Sequence, residues 1–307
     1  MNKLTKERRH LLLGRGRKPP YPYEIITKEK RDEAYEKLKN YDCPNELSLS
    51  TIGNRASNYY FQPYRVKTKI GKWSHYSAWM DDEKRKKIID VSIRLNKGKT
   101  TKSQSAQYRD ALRMNIGSIS QFKPYVAVCG VYKKFKPKRI LDTSAGWGDR
   151  LIGAMSQNID YIGIDQNKKL ITPYKRMIKD FDDKSTSEVL MIFKKSQDVD
   201  YSKLPKYDLI FTSPPYFDLE KYEGMEIFKN KEEFIKKYWR PTIEKAYKYL
   251  ENGGHVALNM PEEMYIALKP VIGSADSKIK MPIQNRFNWK GDAPKFEYIY
   301  VWKKNVW

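Results

Sequence analysis

The residue types of Thr212-Ser213-Pro214-Pro215-Tyr216, directly after the apolar run 207–211, are suited to chemistry on a planar substrate. Two consecutive prolines have no N–H to give a strand ladder, so the chain must leave the sheet in a stiff, extended turn. A turn of this kind at the carboxyl end of a buried strand lies where open α/β sheets bind ligands. The proline carbonyls lack a local donor, Ser213 adds a hydroxyl acceptor, and Tyr216 presents an aromatic face. Two acceptors beside a ring suit a base that carries an exocyclic amino group. Taken alone, the stretch is equally consistent with a structural Pro-Pro turn.

The elements that must position this turn are legible upstream. Residues 139–142 read as a short strand, followed by Thr143-Ser144-Ala145-Gly146-Trp147-Gly148 and a helix from about Asp149. Strand, glycine loop and helix form the arrangement that binds nucleotides at the first switch of a doubly wound sheet, where glycine lets the backbone approach a ligand. The next strand, 161–164, ends in Asp165. An acid there, about 20 residues past the glycines, suits ribose hydroxyls; the alternative is a cap for the helix beginning near Lys168. Residues 188–193 read as a third strand, followed by Ser196-Gln197-Asp198, and 207–211 as the fourth. Beyond the turn, 217–225 reads as a polar, aromatic loop, 230–250 as a helix broken at Pro241, and 255–260 as a further strand. The alternating run 298–302 reads as the last strand.

Ser213-Pro214-Pro215-Tyr216 resembles the catalytic motif of the amino-methyltransferases, which methylate N4 of cytosine or N6 of adenine in DNA. Asp142 with Gly146 and Gly148 resembles their cofactor loop, although Thr143 and Ser144 replace the commoner proline and phenylalanine. The resemblance covers residues 105–265, roughly half the chain. It implies a class I (Rossmann-like) methyltransferase fold, a mostly parallel α/β sheet with an antiparallel final strand, and S-adenosyl-L-methionine as cofactor. It also implies that Ser213 and the Pro214 carbonyl hold the target amine, that Pro215 stiffens the turn, and that Tyr216 stacks on a flipped base. The loop 143–148, including Ala145 and Trp147, would wrap the methionine part of the cofactor. Asp165 would bind its ribose, Asp198 its adenine amine, and Phe122 would line one wall. Serine at the first position is commoner in N4-cytosine enzymes, so that product is favoured over N6-adenine. The same chemistry on an RNA base or a protein amide, and a silent nucleic-acid-binding protein, are the alternatives.

Composition narrows the partner. The chain carries 60 Lys/Arg against 37 Asp/Glu, a formal net charge of +23, and residues 1–110 alone carry 26 against 13. A polyanion is the natural partner of such a surface; DNA is expected, with RNA possible. A basic arm is expected over 1–20 and a helix over 27–40. A loop-rich stretch follows over 45–80, whose rings serve mainly as core, and a helix over 81–95. Residues 1–103 would form a basic, aromatic, α-rich extension for substrate binding, and 104–307 the methyltransferase domain. No apolar stretch approaches the length of a membrane helix, and Leu11-Leu12-Leu13 is too short for a signal peptide's apolar region, so a reducing, intracellular compartment is expected. Cys43 and Cys129 have no spaced partners and the three histidines are scattered, so neither a disulfide nor a metal site is expected. A monomer and a homodimer are both compatible with the sequence.

Overall fold

The computed structural model describes residues 19–95, 101–217, 226–283 and 296–305. Most of the expected basic arm over 1–20 and all but the first residue of the loop expected over 217–225 lie outside the described residues. The described chain forms two compact units, one of residues 19–25, 62–95 and 101–120, the other of 26–61, 121–217, 226–283 and 296–305. The boundary expected at 103/104 does not coincide with this division.

The first unit is helical. His75–Met80, Asp82–Leu95 and Gln104–Ile116 follow a short hairpin of Lys69–Ile70 and Trp73–Ser74. Ser74 opens the first of these helices with a capping box to Ser77, which satisfies two orphan backbone donors. Trp79, Ile88, Ile89, Tyr108, Ala111 and Leu112 form the core, so Trp79 packs as expected. The stretch read as loop-rich over 45–80 instead contains a helix, Asn54–Arg65, whose residues 54–61 belong to the second unit, with Pro63 inside it. Its buried Ala56, Tyr60 and Phe61 recur at helical spacing, and tertiary packing overrides the breaker.

The second unit is the expected doubly wound sheet. Its strands are β1 (Arg139–Asp142), β2 (Asp160–Ile164), β3 (Val189–Ile192), β4 (Tyr207–Thr212), β5 (Leu250–Asn259), β6 (Ser277–Pro282) and β7 (Phe296–Lys303). The order is β3-β2-β1-β4-β5-β7-β6. Pairing is parallel from β3 through β5, and β7 runs antiparallel to both of its neighbours. This is the expected Rossmann-like sheet, mostly parallel with an antiparallel final strand. The order reverses between β1 and β4, so the carboxyl ends of these two strands flank the switch point where such sheets take ligands.

Helix Lys28–Lys39 belongs to this unit, with Thr27 as its N-cap. Tyr35 donates to the Met155 carbonyl at 2.9 Å, and buried Arg31 pairs with Asp180, which also accepts from Tyr60 at 2.7 Å. These links across more than a hundred residues explain why residues 26–61 join the sheet. The helix expected over 230–250 continues through Pro241. A π-helical turn at Ile235–Trp239 precedes the proline, and such a widened turn is one way a helix accommodates a residue that cannot donate to the ladder.

The two cysteines, expected to be unpaired, form a disulfide with Cα atoms 5.3 Å apart. Tyr41 packs edge-on against Tyr125, whose hydroxyl accepts from the Ser48 N–H, so the segment around Cys43 is laid on the helix that carries Cys129. A separation of 86 residues in sequence conceals this proximity. Disulfides persist mainly in oxidising compartments and in the intracellular proteins of hyperthermophiles, so cysteine usage lends no support to a reducing compartment. Among the described residues no helix is long and apolar enough to cross a membrane.

Candidate functional site

β1 delivers Asp142, fully buried, to the start of the glycine loop. Its carboxylate accepts from Arg150 Nε at 2.6 Å, Thr212 Oγ1 at 2.8 Å, the Ser144 N–H at 3.1 Å and the Tyr161 hydroxyl. Two carboxylate oxygens offer about four lone-pair sites, and these partners fill them. Asp142 therefore serves to lock the loop, and Arg150 extends the lock by donating also to the Ser144 carbonyl. The Phe122 ring lies 5.2 Å from the Arg150 guanidinium and edge-on to Phe211, so it braces the same lock.

The loop itself turns on two glycines. Gly146 and Gly148 have φ of 61° and 71°, which side-chain-bearing residues rarely adopt. A Cβ at Gly148 would also lie 2.5 Å from Phe61 and 2.9 Å from Met177. The backbone is wired to neighbouring strands: Ala145 N–H to the Ile164 carbonyl, Gly146 N–H to Asp165, and the Thr143 carbonyl to the Ser196 hydroxyl. Tyr174 donates to the Gly146 carbonyl, and the Ser144 and Tyr238 hydroxyls are 2.9 Å apart. Trp147 is half-buried within the loop.

Asp165, at the end of β2, accepts from the N–H groups of Gly146 and Asn167, each at 2.8 Å. Burial pushes its pKa up to about 6, against the pull of these two donors. At the end of β3, Asp198 is exposed. Its neighbour Gln197 is half-buried, anchored through Nε2 to Glu226 at 2.9 Å, with a buried Oε1 that has no hydrogen-bond partner. Thr143 Oγ1 is likewise buried without a partner. Sequence reasoning passed over Gln197, although an amide beside the acid was visible.

β4 ends in the Ser213–Tyr216 turn, and here the structure adds a residue that the sequence did not single out. Thr212 pairs with Leu258 in the sheet, which sets Asn259 beside the turn. Ser213 donates its hydroxyl to Asn259 Oδ1 at 3.1 Å, and Tyr216 donates to the same oxygen at 3.3 Å. Asn259 Nδ2 donates to the Tyr298 carbonyl, which can only accept, so the amide is oriented with its oxygen towards the two hydroxyls. A hydroxyl has one proton and two lone pairs. With its proton given to Asn259, Ser213 presents lone pairs. Pro214 is buried and Pro215 half-buried, as a stiff turn requires.

The sheet thus gathers the glycine loop, Asp165, Gln197 and the Ser213–Tyr216 turn at its carboxyl edge. Among the described residues no three His, Cys, Asp or Glu side chains form a group able to hold a metal ion. No family model matches the sequence, and no curated protein matches it. Several solved structures are similar at low identity. TrmN from Thermus thermophilus is 17% identical over 60% of this chain and 49% of its own, with a TM-score of 0.42. The M. jannaschii tRNA m1G37 methyltransferase is 18% identical over 61% of this chain and 51% of its own, at 0.39. An rRNA methylase from Streptococcus thermophilus is 12% identical over 62% of this chain and 100% of its own, at 0.40. The chain spans about half the length of the first two.

Proposed function

We propose that this chain transfers a methyl group from S-adenosylmethionine to the exocyclic amine of a DNA base, with N4 of cytosine favoured over N6 of adenine. The observation that carries the reading is the orientation of Ser213: with its proton committed to Asn259, its oxygen is an acceptor at the switch point of the sheet. The Pro214 carbonyl supplies the second acceptor, and Tyr216 the face on which a flipped base stacks. Accepting both amine protons withdraws the nitrogen lone pair from the ring and aims it at an electrophile. S-adenosylmethionine supplies that electrophile as an activated methyl group.

The residues present fit such a cofactor. A left-handed glycine loop, an acid at the end of β2 and an unpartnered amide oxygen at the end of β3 stand at one edge. Gly146 and its neighbours would border the methionine part, Asp165 would accept from the ribose, and Gln197 rather than exposed Asp198 would accept from the adenine amine. Neither cysteine is a free thiolate, which disfavours the C5-cytosine route, since that needs a sulfur nucleophile. Serine at the first motif position favours cytosine by resemblance.

The test is to incubate the protein with labelled S-adenosylmethionine and DNA or RNA separately, then digest to nucleosides for mass spectrometry. N4-methylcytosine from DNA is the expected product. N6-methyladenine would correct the base, transfer to RNA alone would correct the polymer, and no transfer to either would overturn the reaction.

Asp165 adds a pH dependence. Its folded pKa of about 6 lies above the ordinary value of 3.8. Between these values the folded chain holds a proton that the unfolded chain has released, so stability falls as pH rises through this window and levels off above about 6. Cofactor affinity should run the other way, because only the carboxylate accepts from both ribose hydroxyls. Calorimetric titration with S-adenosylhomocysteine should show binding weakening as pH drops below about 6, and Asp165→Asn should remove that dependence. A flat profile in the unaltered protein would take the ribose away from Asp165.

A further inference from the structure

We propose that the exposed face of the β6–β7 edge is a stacking platform for unpaired DNA flanking the target base; the choice of DNA rests on the function proposed above. The register pairs Lys278 with Tyr300, Lys280 with Tyr298 and Pro282 with Phe296. Residues directly opposite in a sheet share a face, so lysines on the edge strand alternate beside aromatic rings on its neighbour. Tyr298 is 40% exposed and Phe296 36%. Lys278 lies 4.9 Å from the Tyr300 centroid and 5.6 Å from that of Tyr298, and Lys280 lies 3.7 Å from that of Phe296.

Three observations select the occupant. Both lysines are exposed, and among the described residues neither forms an ion pair; the nearby Glu262 is felt at Tyr300, at the buried end of the ladder. Among the described residues the face therefore carries two lysines without ion-pair partners, and their charge complements phosphate. Lysine on an edge strand also deters edge-to-edge pairing, but that role does not call for exposed rings beside it. The spacing decides between duplex and single strand. Rings at i and i+2 of a strand stand about 6.6 Å apart, twice the 3.4 Å rise of stacked bases in a duplex strand. Two successive bases meet both rings only in a strand whose stack has been opened.

Position ties the platform to the turn. Asn259, the last residue of β5, pairs with Ile299, so Tyr298 and Phe296 project beyond the end of β5 at the carboxyl edge of the parallel strands. Tyr298 gives its carbonyl to the same Asn259 that holds Ser213 and Tyr216. A strand lying on this face would lead towards the Ser213–Tyr216 turn.

The test uses the full chain without cofactor and a fluorescein-labelled oligothymidylate, read by anisotropy, with an oligouridylate and a duplex of equal length as comparison arms. Base–ring stacking lost by alanine substitution costs about 1–3 kcal/mol per base, so Tyr298→Ala should weaken binding at least about fivefold, while Tyr298→Phe retains it. Lys280→Gln should reduce the slope of log affinity against log salt by about 0.7, the value for one phosphate of a single strand. Unchanged affinity in Tyr298→Ala, or tighter binding of the duplex or the oligouridylate, would overturn the proposal. Because no methyl transfer is measured, loss of the reaction with Tyr298-dependent binding intact would sink the enzyme reading and leave the platform standing.

Discussion

Replacing Arg150 by methionine should cost about 3–5 kcal/mol of stability, the loss seen when one partner of a buried ion pair is removed. Arg150 is 4% exposed and Asp142 fully buried. Burial disfavours the guanidinium charge, but the Asp142 carboxylate beside it more than offsets this and keeps it protonated. Methionine fills similar space against Phe122 yet leaves the Asp142 carboxylate without its counter-ion and the Ser144 carbonyl without its donor. Urea unfolding should show a lowered midpoint with an unchanged slope. Arg150→Lys should fall between the two, since an ammonium supplies charge without the planar fork. A loss below about 1 kcal/mol in Arg150→Met would show that Thr212, Tyr161 and the Ser144 N–H satisfy Asp142 by themselves.

The second large effect concerns turnover. Ser213→Ala should lower the rate of methyl transfer by about a hundredfold or more, the range for removing a positioned proton acceptor. Asn259→Ala should lower it by about tenfold, which corresponds to one net hydrogen bond of about 1.4 kcal/mol. Its mechanism is indirect. Without Asn259 Oδ1, the Ser213 proton is free to turn towards the incoming amine, and an acceptor becomes a donor. The loss should therefore appear in kcat more than in KM. In a Ser213→Ala background the same substitution should cost less than it does alone, since the hydroxyl through which it acts is already gone. Equal costs in both backgrounds would mean that Asn259 acts by holding Tyr216 or the strand end instead.

Much of the candidate site is written in consecutive residues. Two prolines after an apolar run force a turn wherever that run is buried, and Gly146 and Gly148 mark a loop that only a positive φ can close. Asp165 follows its strand directly. Alternation and run length are properties of a few residues at a time, so the strands, their sequence and the parallel sheet that joins them could be read without coordinates. What lay outside such windows could not. Asn259 meets Ser213 through the register between β4 and β5, across 46 residues, and nothing local distinguishes it from another polar residue at a strand end. That Gln197 is half-buried while adjacent Asp198 is exposed is likewise decided by the packing around them. The partners of Asp142, expected at the cofactor, are Arg150, Tyr161 and Thr212, supplied by a helix and two other strands. Cys43 meets Cys129, and Phe61 fills the space beside Gly148, because residues 26–61 pack on the sheet. The sequence by itself determined which residues stand at the carboxyl edge of the strands. Only the tertiary structure decided which of them are already committed to one another, because hydrogen bonding and burial are settled between segments far apart in the chain.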